Sequence, residues 1–344
     1  MAEARLSLLG APGSPYTRKM LALLRYRRIA YTILWGGHQN PPTGYPAPKV
    51  KLLPTFFFPD GAGGLDAMVD STPIIRRLET LFLARSVTPD DSAVGFFNYL
   101  IEDYADEWLT KAMFHYRWHF KADRENAGPL LVHWAMPLIQ AEQAKNASAM
   151  ITKRQFDRLY VVGSNEITAK TIERSYERFL AIIEELIQKR GYVLGARPAS
   201  ADFAIYGQLT QLAVIEPTSA AIAQAFPRVR AWIDRVEDLS GLEPKADDWM
   251  SAAEAGAALL PLLSEIGRVY APFLLANAEA AAAGHENFET EIDGRSWRQP
   301  TFPYQAKCLS WIRGVYSALD QEARALVDAA LAGTGCEAML RASQ

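Results

Sequence analysis

Residues 53–74, LPTFFFPDGAGGLDAMVDSTPI, hold two short strand-like runs around a turn, followed by the start of a helix. Thr55–Phe58 and Leu65–Val69 read as strands, and Pro59-Asp60-Gly61-Ala62-Gly63-Gly64 between them is built from turn residues. Ser71 is a natural N-cap for a helix over Ser71–Leu83, with Ile74, Ile75, Leu78 and Leu81 on one face. Upstream, Arg5–Leu9 is a short apolar run, and Pro15–Arg28 carries Met20, Leu21 and Leu24 at helical spacing. Ala30–Trp35 reads as another strand, and Gly36–Lys49 is a Gly- and Pro-rich loop. The order over the first 85 residues is β-α-β, loop, β-β-α.

Beyond Thr88-Pro89-Asp90-Asp91 the pattern turns helical. Amphipathic stretches cover Ser92–Lys121, Gly128–Ala147, Thr152–Val162, Thr168–Lys189, Ala201–Leu212 and Pro227–Leu239. A third region opens near Pro244. It holds Ala-rich helical sequence over Met250–Ala283, a hairpin over Phe288–Gln299 turning at Asp293-Gly294, and two helices, Tyr304–Leu319 and Gln321–Ala332. The expected units are residues 1–86, 90–243 and 244–344.

The 344 residues are 49% hydrophobic and 22% charged, which suits a globular chain and excludes a disordered one. With 36 Lys and Arg against 39 Asp and Glu, the net charge of −3 gives no field for nucleic acid or an anionic membrane. No apolar run reaches the ~20 residues of a membrane helix, and the N-terminus lacks the pattern of a signal peptide. The expectation is therefore a cytoplasmic protein. Cys308 and Cys336 are too few for a disulfide framework or a zinc site and read as reduced thiols.

Three patterns sit where the β-α-β-β-α unit could use them. Ser14-Pro15-Tyr16-Thr17-Arg18-Lys19 joins the first strand to the first helix, whose unpaired N–H groups would stabilise a thiolate or other anion, to which the Ser14 hydroxyl could donate one more hydrogen bond. Leu53-Pro54 enters a strand, and a cis bond there would turn the Leu53 backbone toward a peptide ligand. Asp70-Ser71 ends a strand at a capped helix, offering a carboxylate to an ammonium and N–H groups to a carboxylate.

Together these patterns resemble the N-terminal domain of the cytosolic glutathione S-transferases, of the Ser type. The resemblance implies an α/β thioredoxin-like N-terminal domain, then an all-α helical-bundle domain, with a mostly helical C-terminal extension added. It implies that Ser14 is catalytic and favours the glutathione thiolate. It also implies that Leu53, before a cis Pro54, pairs with the cysteinyl backbone, and that Asp70 and Ser71 hold the γ-glutamyl ammonium and carboxylate. In family members a loop residue meets the glycyl carboxylate; His38, Gln39 and Lys49 are the candidates. The family more often has Glu or Gln where this chain has Asp70. Gly191–Phe203 resembles the family's helix N-cap box, with Ala199 where a Ser is usual; the lost cap would cost about 1 kcal/mol unless Ser200 replaces it. The resemblance covers about residues 5–243.

The implied activity is a glutathione transferase: glutathione as co-substrate, its sulfur attacking a small apolar electrophile by conjugation, dehalogenation or ether cleavage, in a detoxification role. Members are commonly dimers, so a homodimer is possible here. The alternative is a non-catalytic module of the same fold used for binding or scaffolding. Tyr16, Tyr104 and Trp108 are candidates for the substrate pocket, Tyr16 being also a rival thiol-activating hydroxyl. His115 and His119 have i,i+4 spacing, with Glu107 and Asp123 as the nearest further ligands, but aromatic neighbours favour packing and no metal is expected.

Overall fold

The computed structural model describes residues 6–37 and 41–341. His38 and Gln39 lie outside the described residues. The first unit runs β1 (Leu6–Gly10), α1 (Pro15–Tyr26), β2 (Tyr31–Trp35), β3 (Thr55–Pro59), β4 (Leu65–Met68) and α2 (Ser71–Leu81). The sheet order is β2-β1-β3-β4, with β1 parallel to β2 and antiparallel to β3, and β4 antiparallel to β3. A parallel pair needs a crossover, and α1 supplies it. Leu8 pairs with Phe56, and both are fully buried with Leu6, Phe58, Met20 and Ile74 in the main core. Leu9 and Phe57 alternate to the other face, where they pack with Ala11 and Leu53. This is the expected thioredoxin-like arrangement.

The helices follow as α3 (Ser92–Tyr104), a π-helical segment (Ala105–Leu109), α4 (Thr110–His119), α5 (Lys121–Ala135), α6 (Ala141–Phe156), α7 (Ala169–Arg190), α8 (Ser200–Thr210), a second π-helical segment (Gln211–Ile215), α9 (Pro217–Ala223) and α10 (Pro227–Val236). The single stretch expected over Gly128–Ala147 is two helices. Pro137 denies Met136 the helical conformation, and Met136 adopts φ −140°. The stretch Thr152–Val162 also divides, because α6 ends at Phe156 and a 3₁₀ turn covers Leu159–Val162.

The cap at Ala199 is solved in trans. Asn98 Oδ1 on α3 accepts the Ala201 N–H at 3.0 Å, and the Val87 carbonyl accepts the Ser200 N–H at 2.8 Å. Asp202 takes the Ala199 and Val193 N–H groups, each at 2.9 Å. Ser200 does not replace the missing cap. Its hydroxyl accepts from Asn98 and donates to Glu102 at 2.6 Å instead.

The last region is α11 (Ala252–Ala282), β5 (Asn287–Ile292), β6 (Arg295–Pro300), α12 (Pro303–Ser317), α13 (Gln321–Leu331) and α14 (Glu337–Leu340). The hairpin turns at Asp293 and Gly294, both at positive φ (53° and 69°), as a tight two-residue turn requires. The expectation about membrane helices needs a correction at α11. Its 31 residues make one helix through Pro261 and Pro272, long and apolar enough by composition to cross a membrane. Of its most apolar window 61% is buried within the protein, so α11 here is a core helix. Arg178 on α7 grips Glu265 of α11 at 2.7 and 2.8 Å and Asp293 of the hairpin at 2.9 Å. Phe273 and Trp297 pack on Trp108, and the Tyr270 hydroxyl donates to Asp103 at 2.6 Å. One continuous core runs from Leu6 to Met339.

Candidate functional site

The site begins at the N-terminus of α1. Ser14 is its N-cap, in extended conformation (φ −93°, ψ 117°), with Pro15 at the first helical position. Its Oγ accepts the Thr17 N–H at 3.2 Å and directs its own proton at the Leu53 carbonyl, 3.4 Å away. The Leu53-Pro54 bond is cis. Thus a helix N-terminus, a part-buried hydroxyl and the Leu53 backbone converge on one spot. Lys49, the described candidate of the loop, is exposed.

The helical region holds the Ser14 loop in place. Arg117, buried on α4, donates to the Gly13 carbonyl at 2.9 Å, to Glu216 at 2.5 Å and to Gln211 at 2.6 Å. Arg18 donates to the Pro12 carbonyl at 3.1 Å. Leu131 and Trp134 of α5 lie so close to Gly13 that a Cβ there would fall 2.5 and 3.0 Å from them.

On the other side, Asp70 caps α2 with φ +75°, a conformation that non-glycine residues rarely adopt. Its Oδ1 accepts the Thr72 N–H at 3.3 Å, and its Oδ2 accepts the hydroxyl of Tyr304, from α12, at 2.8 Å. Ser71 is buried, and its Oγ accepts from Lys19 at 2.9 Å. Lys19 Nζ also donates to Glu102 at 2.7 Å and Asp106 at 2.6 Å. Burial disfavours this ammonium, but Asp106 and Glu102 outweigh burial and lift its pKa. Burial raises the Asp106 carboxyl to about 6 even against Lys19, with Glu102 adding to the rise. Burial opposes ionisation of Glu102 as well, yet Lys19 and the Ser200 and Thr72 hydroxyls hold it below the usual carboxylate value. Glu107 accepts from Gln305 of α12 at 3.1 Å and is pushed up to about 7, mainly by burial.

Three expectations about the substrate pocket change. Tyr16 donates to the Asp106 carbonyl at 2.6 Å and pairs with Thr110 at 2.8 Å. These contacts tether α1 to the π-helical segment and α4, and burial raises the Tyr16 pKa well above the ordinary value. Tyr104 is fully buried against Phe179 and Tyr270. Trp108 is buried too, donating to Ser175 at 2.8 Å. Tyr104 and Trp108 share one helical face, and α7 and α11 cover it; Asp106 and Glu107 lie on the face toward α1 and α12. His115 and His119 stack at 4.6 Å, and His115 Nδ1 shares a proton with Ser164. Among the described residues no group of three or more His, Cys, Asp or Glu side chains is placed to hold a metal. Cys308 and Cys336 are free and buried, and burial pushes both thiols up.

Residues 8–86 match the family model of the glutathione S-transferase N-terminal domain, and residues 139–235 match that of the C-terminal domain. The chain belongs to the glutathione S-transferase family. No curated protein matches it. Among solved structures it is similar to a glutathione S-transferase-like protein from Pseudomonas syringae (17% identity, 68% of this chain, 66% of that one, TM-score 0.42). A glutathione S-transferase from Methylobacterium radiotolerans, in complex with glutathione sulfonate, is similar at 19% identity, 72% and 99% coverage and TM-score 0.43. The beta-etherase LigF from Sphingobium sp. is similar at 17%, 70% and 96%, with TM-score 0.41. Residues 244–344 lie outside both matched segments, although Tyr304 and Gln305 within them hydrogen-bond Asp70 and Glu107.

The motif reading missed Lys19, Arg117 and Tyr304. Lys19 left one trace, a lysine directly before the buried run Met20–Leu24. Arg117 and Tyr304 left none, since their partners lie 104 and 234 residues away.

Proposed function

We propose that this chain is a glutathione transferase: glutathione lies across residues 1–86, and its thiolate attacks an apolar electrophile held against the helices of residues 90–243. The observation that carries this reading is Ser14 Oγ at the N-terminus of α1, its proton directed at the Leu53 carbonyl 3.4 Å away. That long contact is easily exchanged. When a thiolate arrives, the Ser14 hydroxyl turns to donate to sulfur, while the positive end of α1 stabilises the same charge. The thiol proton leaves to solvent, sulfur forms a bond to the electrophilic carbon, and the leaving group departs with its electron pair. An ordinary thiol has a pKa near 8.5, so even a modest depression raises the thiolate fraction at pH 7.

In this reading the Leu53 backbone pairs with the cysteinyl segment, Asp70 holds the γ-glutamyl ammonium, and the first N–H groups of α2 at Ser71 hold its carboxylate. Calorimetric titration of reduced glutathione into the wild type and Asp70→Asn tests it. Saturable one-site binding, about tenfold weaker in the variant, is expected for a charge-assisted contact. No binding at millimolar glutathione would overturn the reading.

A further inference from the structure

Tyr304 is the second residue of α12 and lies outside both family-matched segments, yet its hydroxyl rests on Asp70. The next residue, Gln305, rests on Glu107. The first turn of the helix is thus bonded to two carboxylates, and the Tyr304 ring packs edge-on against Trp311, with centroids 5.8 Å apart. Tyr304 is nevertheless 36% exposed, so it stands at the rim rather than in the core.

The polarity of this contact decides what it can bind. A phenol that gives its only proton to a carboxylate has only lone pairs left, so it can accept from a ligand but cannot donate. The surroundings favour a cation too. Asp70, Asp106 and Glu107 gather here, countered by Lys19 on Asp106 and by Lys111 near Glu107, and Asp106 Oδ1 is buried with no hydrogen-bond partner. The other oxygen of the Asp70 carboxylate accepts the Thr72 N–H at 3.3 Å, which orients the oxygen on which the Tyr304 hydroxyl rests.

We propose that Tyr304 completes the γ-glutamyl end of the glutathione site: its phenolic oxygen, oriented by donating to Asp70 Oδ2, accepts a hydrogen bond from the α-ammonium of glutathione. The inference rests on the glutathione site proposed above and adds to it a binding residue supplied by the C-terminal extension. It makes the extension a determinant of ligand choice, selecting for the free α-amino group.

The test is calorimetry on the full-length wild type and Tyr304→Phe with two probes, reduced glutathione and its analogue lacking the α-amino group. Removing one hydroxyl from a half-exposed ring leaves the packing on Trp311 intact, and a thermal melt checks the fold. The expected result is about fivefold weaker binding of glutathione by the variant, the worth of one hydrogen bond, with no change for the analogue. Equal weakening for both probes would overturn the proposal, because Tyr304 would then only support the fold. Unchanged or tighter glutathione binding would overturn it as well, the latter by making Tyr304 a competitor for Asp70. Failure of the wild type to bind glutathione is a separate result and would overturn the underlying site along with this addition.

Discussion

Lys19 sets an ammonium between Glu102 and Asp106 and against Ser71, where α1, α2 and α3 meet. Removing one partner of a buried ion pair costs more than the pair is worth, because the remaining charges stay buried alone. Lys19→Met is therefore expected to destabilise the protein by about 3–5 kcal/mol near pH 8, measured by urea unfolding. The loss should shrink at acid pH. Asp106 already has a folded-state pKa of about 6, above that of an unfolded aspartate, and without Lys19 it rises further. Protonation then neutralises the orphaned carboxyl in the folded state first, so the variant regains stability as pH falls from 8 toward 5. An equal deficit at both pH values would contradict this account of the cluster.

At the scale of elements, α1 and α8 cross at Gly207. A Cβ there would fall 2.4 Å from the Pro15 carbonyl oxygen and 3.0 Å from Lys19 Cβ, and backbone cannot move aside as a flexible side chain can. Gly207→Ala should cost about 1–3 kcal/mol in denaturant unfolding, and because Pro15 follows Ser14 it should lower activity as well. The sequence showed α1 and the buried face of α2 because their apolar spacing is local, and it showed Ser14, Leu53-Pro54 and Asp70-Ser71 because each motif is contiguous and lies at an element boundary. It did not show which face of α3 and the π-helical segment turns toward α1 and α12. Tyr104 and Trp108 looked like pocket residues until α7 and α11, distant in sequence, were seen to cover them. A π-helical insertion leaves no periodic trace of its own, and the trans cap of Asn98 on α8 depends on a partner 103 residues away.

At the scale of the molecule, the last hundred residues share a core with the rest and reach its site. Phe273, Tyr270 and Trp297 cover Trp108, Tyr104 and Asp103, and Glu265 neutralises Arg178. A chain ending at residue 243 would expose these aromatic side chains and leave Asp103 without Tyr270. It is expected to lose cooperative thermal unfolding and to aggregate on size exclusion; a monodisperse, cooperatively folded truncation would contradict a shared core. The whole arrangement serves one claim, that Ser14 and the N-terminus of α1 hold glutathione as its thiolate. The most direct measurement is a pH titration of the ultraviolet thiolate absorbance of enzyme-bound glutathione, in the wild type and in Ser14→Ala. The account predicts a bound-thiol pKa clearly below the ~8.5 of an ordinary thiol, rising by about one unit when the hydroxyl is removed. The same pKa in both proteins, or a wild-type value no lower than that of the free thiol, would contradict it.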